Sequence, residues 1–432
     1  MLTARVEALS HDGRGIAHIN GKTIFLENAL PEEEISFVYT RQRNKFAEAK
    51  ATAILKASDD RVTPRCSHFN ICGGCSLQHL QHAKQIFYKT KTLQEQMLHF
   101  GNQHINTFAP PIIGPTWGYR SRARLAVKYV IKKQQVLVGF HEKNGRYITA
   151  TTSCPILQPT VGKNIVTLRE LIAQLTIYNQ IPQIEIACGD KITAIVLRHL
   201  QPFAAKDIEL LQSFSTKHGY QIYLQPGNLA TIQPLSTPTP LSYQLAQNIT
   251  MFFAPTNFTQ INHNINQQLV HCIGELLAIN PTDKILDLFC GIGNFTLPLA
   301  ASGATVIGIE SNKNSIIQAK HNAKYNNINA EFHYADLTQE LPNTSWIQQY
   351  DKILLDPPRT GANEICAQIR RFKAKHIIYV SCNPTTLARD SKELTNNGYN
   401  LQSIRLVDMF PHTNHMEIVA EFTAQNKKFT SS

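Results

Sequence analysis

Lys284-Ile-Leu-Asp-Leu-Phe-Cys-Gly-Ile-Gly-Asn-Phe-Thr296 decides the fold. Its first half is an apolar run of strand type. Gly291 and Gly293 make a turn in which the backbone can come close to a ligand, and a helix follows. Nineteen residues beyond Gly291, Val306-Ile-Gly-Ile-Glu310 ends a second strand in an acid. A carboxylate there can accept both ribose hydroxyls of a nucleoside. The turn lacks the third glycine and phosphate cradle of dinucleotide sites. That points to S-adenosylmethionine, a nucleoside cofactor without phosphate. Phe332-His-Tyr-Ala-Asp336 offers an acid for the adenine amino group, and Tyr350 to Asp356-Pro-Pro-Arg359 ends in an acid and a rigid proline pair. Strand and helix alternate, so we expect a parallel doubly wound sheet, with a late antiparallel strand after Pro411.

Within that frame, Ile377-Ile-Tyr-Val-Ser-Cys-Asn-Pro384 reads as a buried strand ending in a cysteine. Pro384 opens a helix expected over Thr385–Thr395, at the position where proline is tolerated. The carboxyl end of such a strand is where open α/β sheets hold their ligands. A helix N-terminus beside Cys382 is expected to favour the thiolate. Asp287, Glu310, Asp336, Asp356 and Cys382 all fall at or just past strand ends, an alignment that packing needs alone would not produce.

The 432-residue chain is long for one domain, and 43% hydrophobic residues suffice for real cores. No apolar run reaches membrane-spanning length. Met1-Leu-Thr-Ala-Arg5 carries no apolar signal segment, so a cytoplasmic protein without membrane association is expected. Its nine cysteines are then reduced, metal-bound or catalytic. The net charge is +11, and between Arg61 and Lys133 eleven Lys and Arg face one acid, Glu95. Charge so concentrated favours a polyanionic partner, above all nucleic acid.

Residues 1–58 read as five short strands with an Asn20-Gly21 hairpin turn, a small closed barrel. Glu7-Ala-Leu9 followed by Gly13-Arg-Gly-Ile-Ala17 resembles the TRAM domain, an OB-like RNA-binding barrel. Arg41, Arg43 and Lys45 could present charge to phosphates. Cys66, Cys72 and Cys75, spaced C-x5-C-x2-C with two glycines in the tighter pair, read as a metal loop. Cys154, followed by Pro155, is the candidate fourth thiolate. The spacing accepts zinc or an iron–sulfur cluster. Cys188, Cys272 and Cys366 read as packing residues. A helix over 83–100, ending before Gly101, turns Ile86, Leu93, Met97 and Leu98 inward and Lys84, Lys89 and Lys91 outward. Arg120, Arg122 and Arg124 alternate along a strand beginning at Tyr119, which places them on one face as an RNA track, with Tyr119 to stack on a base. Helices Val161–Gln174 and Lys206–His218 and strands Gln183–Ala187 and Ile192–Leu197 complete an α+β domain over 59–255. The catalytic domain is expected over 256–432, with helix 83–100 packing against it, and the polar tail is expected to fray.

Taken together, D-L-F-C-G-I-G-N-F (287–295), D-P-P-R (356–359), S-C-N-P (381–384) and P-H-T-N-H-M-E (411–417) resemble the RNA uracil-5 methyltransferases. The resemblance implies Cys382 as nucleophile and Glu417 as proton acceptor. It implies a cofactor site lined by Gln260, Phe289, Asn294, Glu310, Asp336 and Asp356. Barrel and cysteine loop together resemble the branch that methylates a uridine of 23S ribosomal RNA. That branch implies a 4Fe-4S cluster on Cys66, Cys72, Cys75 and Cys154, and a monomer. The fold expected is α/β, made of an OB-like TRAM barrel, an α+β iron–sulfur domain and a Rossmann-like methyltransferase domain. The residue types suit the chemistry. Thiolate attack on C6 of uracil makes C5 nucleophilic toward the sulfonium methyl, and a carboxylate then removes the C5 proton. The target base must leave its stack to reach a buried cysteine. A DNA cytosine-5 methyltransferase would show Pro-Cys in place of Ser-Cys-Asn-Pro, and an amino-methyltransferase an aromatic where Arg359 stands. A non-catalytic RNA-binding assembly factor would not need Cys382 and Glu417, and a redox enzyme would need an electron-partner site that the sequence lacks. A transfer RNA or another ribosomal uridine is the alternative substrate.

Overall fold

A computed structural model describes residues 2–425 except Asn106, Asn144 and Pro342. The tail expected to fray lies, from residue 426 on, outside the described residues. Eight strands build the largest sheet, in the order Glu331–Tyr334, Thr305–Glu310, Lys284–Leu288, Lys352–Leu355, His376–Ser381, Glu417–Ala424, Tyr399–Val407 and Phe108–Ile112. The first five run parallel. Glu417–Ala424 is antiparallel to both neighbours. Alternate residues feed two cores, one on each face. Ile285, Leu354, Ile378 and Val380 enter the first, while Leu286, Leu288, Ile353, Leu355, Ile377 and Tyr379 enter the second. Burial on both faces is why these strands read as continuous apolar runs. The chain order reverses between Lys284–Leu288 and Lys352–Leu355, and a doubly wound sheet opens its crevice at that point.

The sheet draws on the 59–255 stretch as well as on 256–432. Phe108–Ile112 forms its edge, parallel to Tyr399–Val407. Helix His82–Gly101 puts Leu93 and Met97 into the second core. It crosses helix Pro384–Asn396 so closely that a Cβ on Gly101 would stand 2.6 Å from the Ala388 carbonyl oxygen. That contact carries the helix through Gly101, one residue past its expected end. Two side chains depart from the helical pattern. Leu98, expected inward, is 46% exposed. Lys89, expected outward, is buried because Asp408 of the catalytic half meets its ammonium.

The amino-terminal barrel has six strands where five were expected: Leu2–Arg5, Ala8–Leu9, Gly15–Ile19, Lys22–Glu27, Glu34–Gln42 and Phe46–Lys56. The segment Leu2–Leu9 closes it, pairing with Glu34–Gln42 through its first half and with Gly15–Ile19 through its second. Asn20 and Gly21 both have positive φ, the type I′ geometry their sequence calls for. The central domain carries a second six-stranded sheet, running from Gln233–Pro234 to Gln135–Gly139. The helix expected over 161–174 is split into Pro159–Gly162 and Ile165–Gln174. The break serves Cys154: its N–H donates to the Gly162 oxygen, and only glycine fits there, since a Cβ would come within 2.4 Å of the Cys154 oxygen.

Candidate active site and cysteine cluster

The glycine turn at the end of Lys284–Leu288 is fastened to the neighbouring strand. Phe289, at φ +68°, and Cys290 both donate N–H groups to the Ile309 oxygen. The Glu310 carboxylate faces the turn and accepts from the N–H groups of Gly291 at 3.1 Å and Asn312 at 2.7 Å. Asp336 is exposed and accepts from the Thr338 N–H and hydroxyl. Asp287 is fully buried. One of its oxygens accepts from the Thr296 hydroxyl at 2.5 Å, and the other has no partner among the described residues. Burial, and next to it the Glu310 charge, push Asp287 up to about 7. Burial and the charge of Asp287 likewise push Asp356 up to about 7. Asp287, Glu310 and Asp356 thus form an acidic well at the sheet's switch point, suited to a cationic cofactor.

Asn294 turns elsewhere. It exchanges two amide hydrogen bonds with Asn266 and accepts from the Tyr243 hydroxyl, all at 2.9 Å. Gln260 is buried on a loop whose carbonyls are held by Arg122. The Arg122 guanidinium donates to the oxygens of Asn257 at 2.6 Å and Pro255 at 2.5 Å. The expected arginine track is therefore corrected at Arg122; Arg124 stays 68% exposed, and Arg120 donates to the Arg122 oxygen. The strand begins at Arg122, which is spent inside the protein, and Arg124 pairs with Glu185. Tyr119 is buried and donates its hydroxyl to the Pro411 oxygen, so it offers no stacking face. The alternation rule placed Arg122 and Arg124 on one face correctly, but it could not tell that this face is covered at Arg122 by residues 255–259.

At the other end of the crevice stand Cys382 and Glu417. Ser381 pairs with Ile418 across adjacent antiparallel strands, so the next step of the register sets Cys382 opposite Glu417. Asn383 caps the helix that follows. Its oxygen accepts from the Thr385 N–H, and its amide donates to the Arg359 oxygen at 3.0 Å. Asp390 accepts from the Ala362 N–H and the Tyr379 hydroxyl, both at 2.6 Å, so the turn after Asp356-Pro-Pro-Arg359 is built onto this helix. Glu417 is buried, and burial, then the Asp356 charge, raise its carboxyl well above the usual range. Arg359 pulls the other way on both Glu417 and Cys382. The expected thiolate is corrected too: burial, then Glu417, push Cys382 up to about 11. Cys382 lies before the Asn383 cap, outside the first turn, and desolvation outweighs the helix end. Arg359 and Asp287 complete the site. The sequence signal for each was its position beside a strand end.

Cys66, Cys72, Cys75 and Cys154 are all half-buried and free. Burial raises Cys75 to about 12 and Cys154 to about 11, and neighbouring cluster cysteines add to both shifts. The four thiols therefore lie within electrostatic reach of one another. Among the described residues no three His, Cys, Asp or Glu side chains converge on a point where one metal ion could sit. Gly73 donates its N–H to the His141 oxygen, and a Cβ there would stand 3.1 Å from that oxygen, so the tight end of the loop lies close on the 141–142 backbone.

A doubly wound sheet, a glycine turn ringed by acids, and a cysteine beside a carboxylate at adjacent strand ends suit a methyltransferase that binds a cationic nucleoside cofactor. Residues 245–423 match the family model described as tRNA (Uracil-5-)-methyltransferase, and residues 1–52 match the TRAM domain. The chain is 48% identical to the 23S rRNA (uracil(1939)-C(5))-methyltransferase RlmD of Nitrosococcus oceani, covering 98% of this chain and 96% of that one. It is 46% identical to the protein so named of Alcanivorax borkumensis, over 98% and 97% of the two chains. The crystal structure of Pyrococcus abyssi tRNA (uracil-54, C5)-methyltransferase in complex with S-adenosyl-L-homocysteine shares the fold. Its TM-score is 0.76 at 24% identity, covering 98% of this chain and all of that one. The chain belongs to the RNA uracil-5 methyltransferase family, as its motifs led us to expect. Among the described residues no helix is long and apolar enough to cross a membrane.

Proposed function

We propose that this protein transfers a methyl group from S-adenosylmethionine to C5 of a uridine in 23S ribosomal RNA, at the position named for its relatives, uridine 1939. The observation that carries the reading is Cys382, one step past the Ser381–Ile418 pair and within reach of the Glu417 charge, beside an acidic turn for a sulfonium cofactor. The flipped base enters between them. Cys382 gives up its thiol proton to solvent, its sulfur bonds to C6, and the C5–C6 electron pair moves to the enolate. C5 takes the methyl, leaving S-adenosylhomocysteine. Glu417 removes the C5 proton, the C5–C6 double bond re-forms and the thiolate leaves. Glu310 and Asp336 suit the ribose and the adenine, Gln260 and Phe289 border the same crevice, and Asp356 faces the reacting end. Asn294 acts by bracing the turn through Asn266. The exposed Arg41, Arg43 and Lys45 on the barrel supply charge for RNA. The test is to map 5-methyluridine in 23S RNA from cells lacking the gene. The methyl should vanish at one site, return with the parent gene and stay absent with Cys382→Ala. An unchanged 23S RNA with a lost transfer RNA methyl would favour the other substrate.

We infer that Cys66, Cys72, Cys75 and Cys154 hold a 4Fe-4S cluster that keeps the 66–77 and 154–162 segments together. The support is the donor set: four half-buried thiols within one another's field, at C-x5-C-x2-C spacing with a later Cys-Pro, the ligand type of an iron–sulfur cluster. Anaerobically purified protein should carry about four irons and acid-labile sulfide. Stoichiometric zinc without sulfide would overturn the assignment.

A further inference from the structure

Glu417 receives no hydrogen bond from the described residues, so the placement of its carboxylate depends on its backbone. That backbone leaves a turn, residues 408–416, whose anchors lie almost wholly in the segment 76–119. At its centre is His412, at φ +66°, a conformation unusual for a residue with a side chain. The His412 oxygen accepts from the N–H groups of Ser76 at 3.0 Å and Leu77 at 2.9 Å, the two residues after Cys75. The His412 N–H donates to the Gln85 Oε1 at 2.9 Å, and the Gln85 amide nitrogen lies 3.2 Å from the His412 Nδ1. Trp117 stacks on the imidazole at 3.9 Å, with the Arg65 guanidinium on the ring, 5.3 Å from its centre. Arg65 and Ser76 therefore flank the cysteine loop at both ends, and both reach His412, directly or through Trp117.

We propose that His412 is a positioning residue through which the cysteine-bearing segment sets Glu417 for removal of the C5 proton. The proposal rests on Glu417 as the base. A strained turn stays in place only while its surroundings over-determine it. Here the surroundings are the Cys66–Leu77 loop and the start of helix His82–Gly101. Attack by Cys382 and methyl transfer draw on other elements, the Ser381–Asn383 strand end and the glycine turn. Loosening His412 should therefore slow the last chemical step selectively.

Two RNAs separate the steps. RNA with 5-fluorouridine at the target is attacked and methylated but cannot lose fluorine as a cation, so its covalent adduct reports the steps before proton removal. In His412→Ala, adduct formation with fluorouridine RNA and S-adenosylmethionine affinity should match the parent. Turnover on ordinary RNA should fall by about 10²-fold, the scale of a small misplacement of a reacting group. A denaturation-stable adduct with ordinary RNA should accumulate. His412→Asn should recover most of the turnover, since asparagine tolerates positive φ and its amide oxygen can accept from Gln85. Trp117→Ala, which leaves the backbone untouched, should give a weaker stall of the same kind and carries the test if His412→Ala does not fold. Unchanged turnover in both variants, or fluorouridine adduct and turnover falling together, overturns the proposal. Glu417→Gln is the reference. If it stalls and His412→Ala does not, the clamp is wrong. If it turns over like the parent, the base assignment is wrong and the clamp falls with it.

Discussion

Lys89→Met tests how firmly the central helix is tied to the catalytic half. Lys89 and Asp408 are both interior, with side chains 2% and 0% exposed and 2.7 Å between Nζ and Oδ1. The ammonium also donates to the Phe410 oxygen at 3.1 Å. Asp408 accepts a second partner, His82 at 2.7 Å. Burial alone would raise Asp408, but the His82 hydrogen bond and the Lys89 charge hold it below the usual carboxylate value. Lys89 has one carboxylate, shared with His82, and burial pulls it down. Breaking a buried pair from one side costs about 3–5 kcal/mol, and the remaining His82 bond sets the expectation for Lys89→Met near about 3 kcal/mol. Replacing both partners by apolar groups is often near neutral, so Lys89→Met with Asp408→Leu should recover most of the loss. Urea unfolding followed by far-ultraviolet circular dichroism measures all three proteins. A loss within about 0.5 kcal/mol for Lys89→Met, the size of a surface substitution, would refute the reasoning. The pH dependence has a sign. A depressed carboxylate contributes stability above its unfolded value of 3.8 and loses it as pH falls through the folded value, so the cost of Asp408→Asn should fade on acidification below pH 3.8.

Cys382→Ala should abolish both adduct and methylation while calorimetric titration finds S-adenosylmethionine binding intact; an adduct on this variant would mean another nucleophile. Glu417→Gln should stabilise the protein at neutral pH. The raised Glu417 carboxyl has its full stability below the unfolded value of 4.5 and loses it as pH rises toward the folded value, so the difference in Tm should widen from pH 5 to pH 8. A constant difference would show that Glu417 titrates normally. Arg122→Met should lower stability and cofactor affinity through the Gln260 loop yet leave the salt dependence of RNA binding unchanged, whereas each phosphate contact truly lost flattens the slope by about 0.7–0.9. The pH midpoint for alkylation of Cys382 should fall by about one unit with S-adenosylmethionine bound and stay put with S-adenosylhomocysteine, which has no sulfonium charge. Equal midpoints with the two ligands would remove the cofactor from control of the thiol.

The strands of the catalytic sheet were legible because both their faces are buried, which leaves unbroken apolar runs ending in acids. The Asn20-Gly21 turn was legible because it needs two positive φ values, which few other pairs supply. What failed was long-range pairing. Lys89 sits on a helical face that periodicity assigns to solvent, and only Asp408, more than three hundred residues later, makes its burial tolerable. Arg122 and Tyr119 carry the composition of an RNA surface but are consumed by carbonyls at 255–257 and 411. The strand Tyr399–Val407 was missed because its alternating polar residues interrupt the apolar run. Cys382 was readable as a cysteine at a strand end, whereas Glu417 came only from the resemblance of P-H-T-N-H-M-E. That they face each other depends on an antiparallel register, which a sequence does not display.

That register brings Cys382 and Glu417, which we propose as nucleophile and base, into a site that disfavours charge on each. Burial and then Glu417 push Cys382 up to about 11, and burial and then Asp356 raise Glu417 well above the usual carboxylate range. Glu417 raises Cys382, and Asp356 raises both. Arg359 is the one group acting on both in the opposite sense, and its backbone is held by Asn383, the residue after the nucleophile. A sulfonium ion entering the acidic well of Asp287, Glu310 and Asp356 adds a second positive charge to the same crevice, and opposite charge lowers every one of these acids together. On the roles we propose, the charge of the methyl donor shifts Cys382 toward the thiolate that attacks C6 and Glu417 toward the carboxylate that takes the C5 proton. An acid held neutral by desolvation is also a strong base once ionised, which is what removal of the C5 proton asks of Glu417.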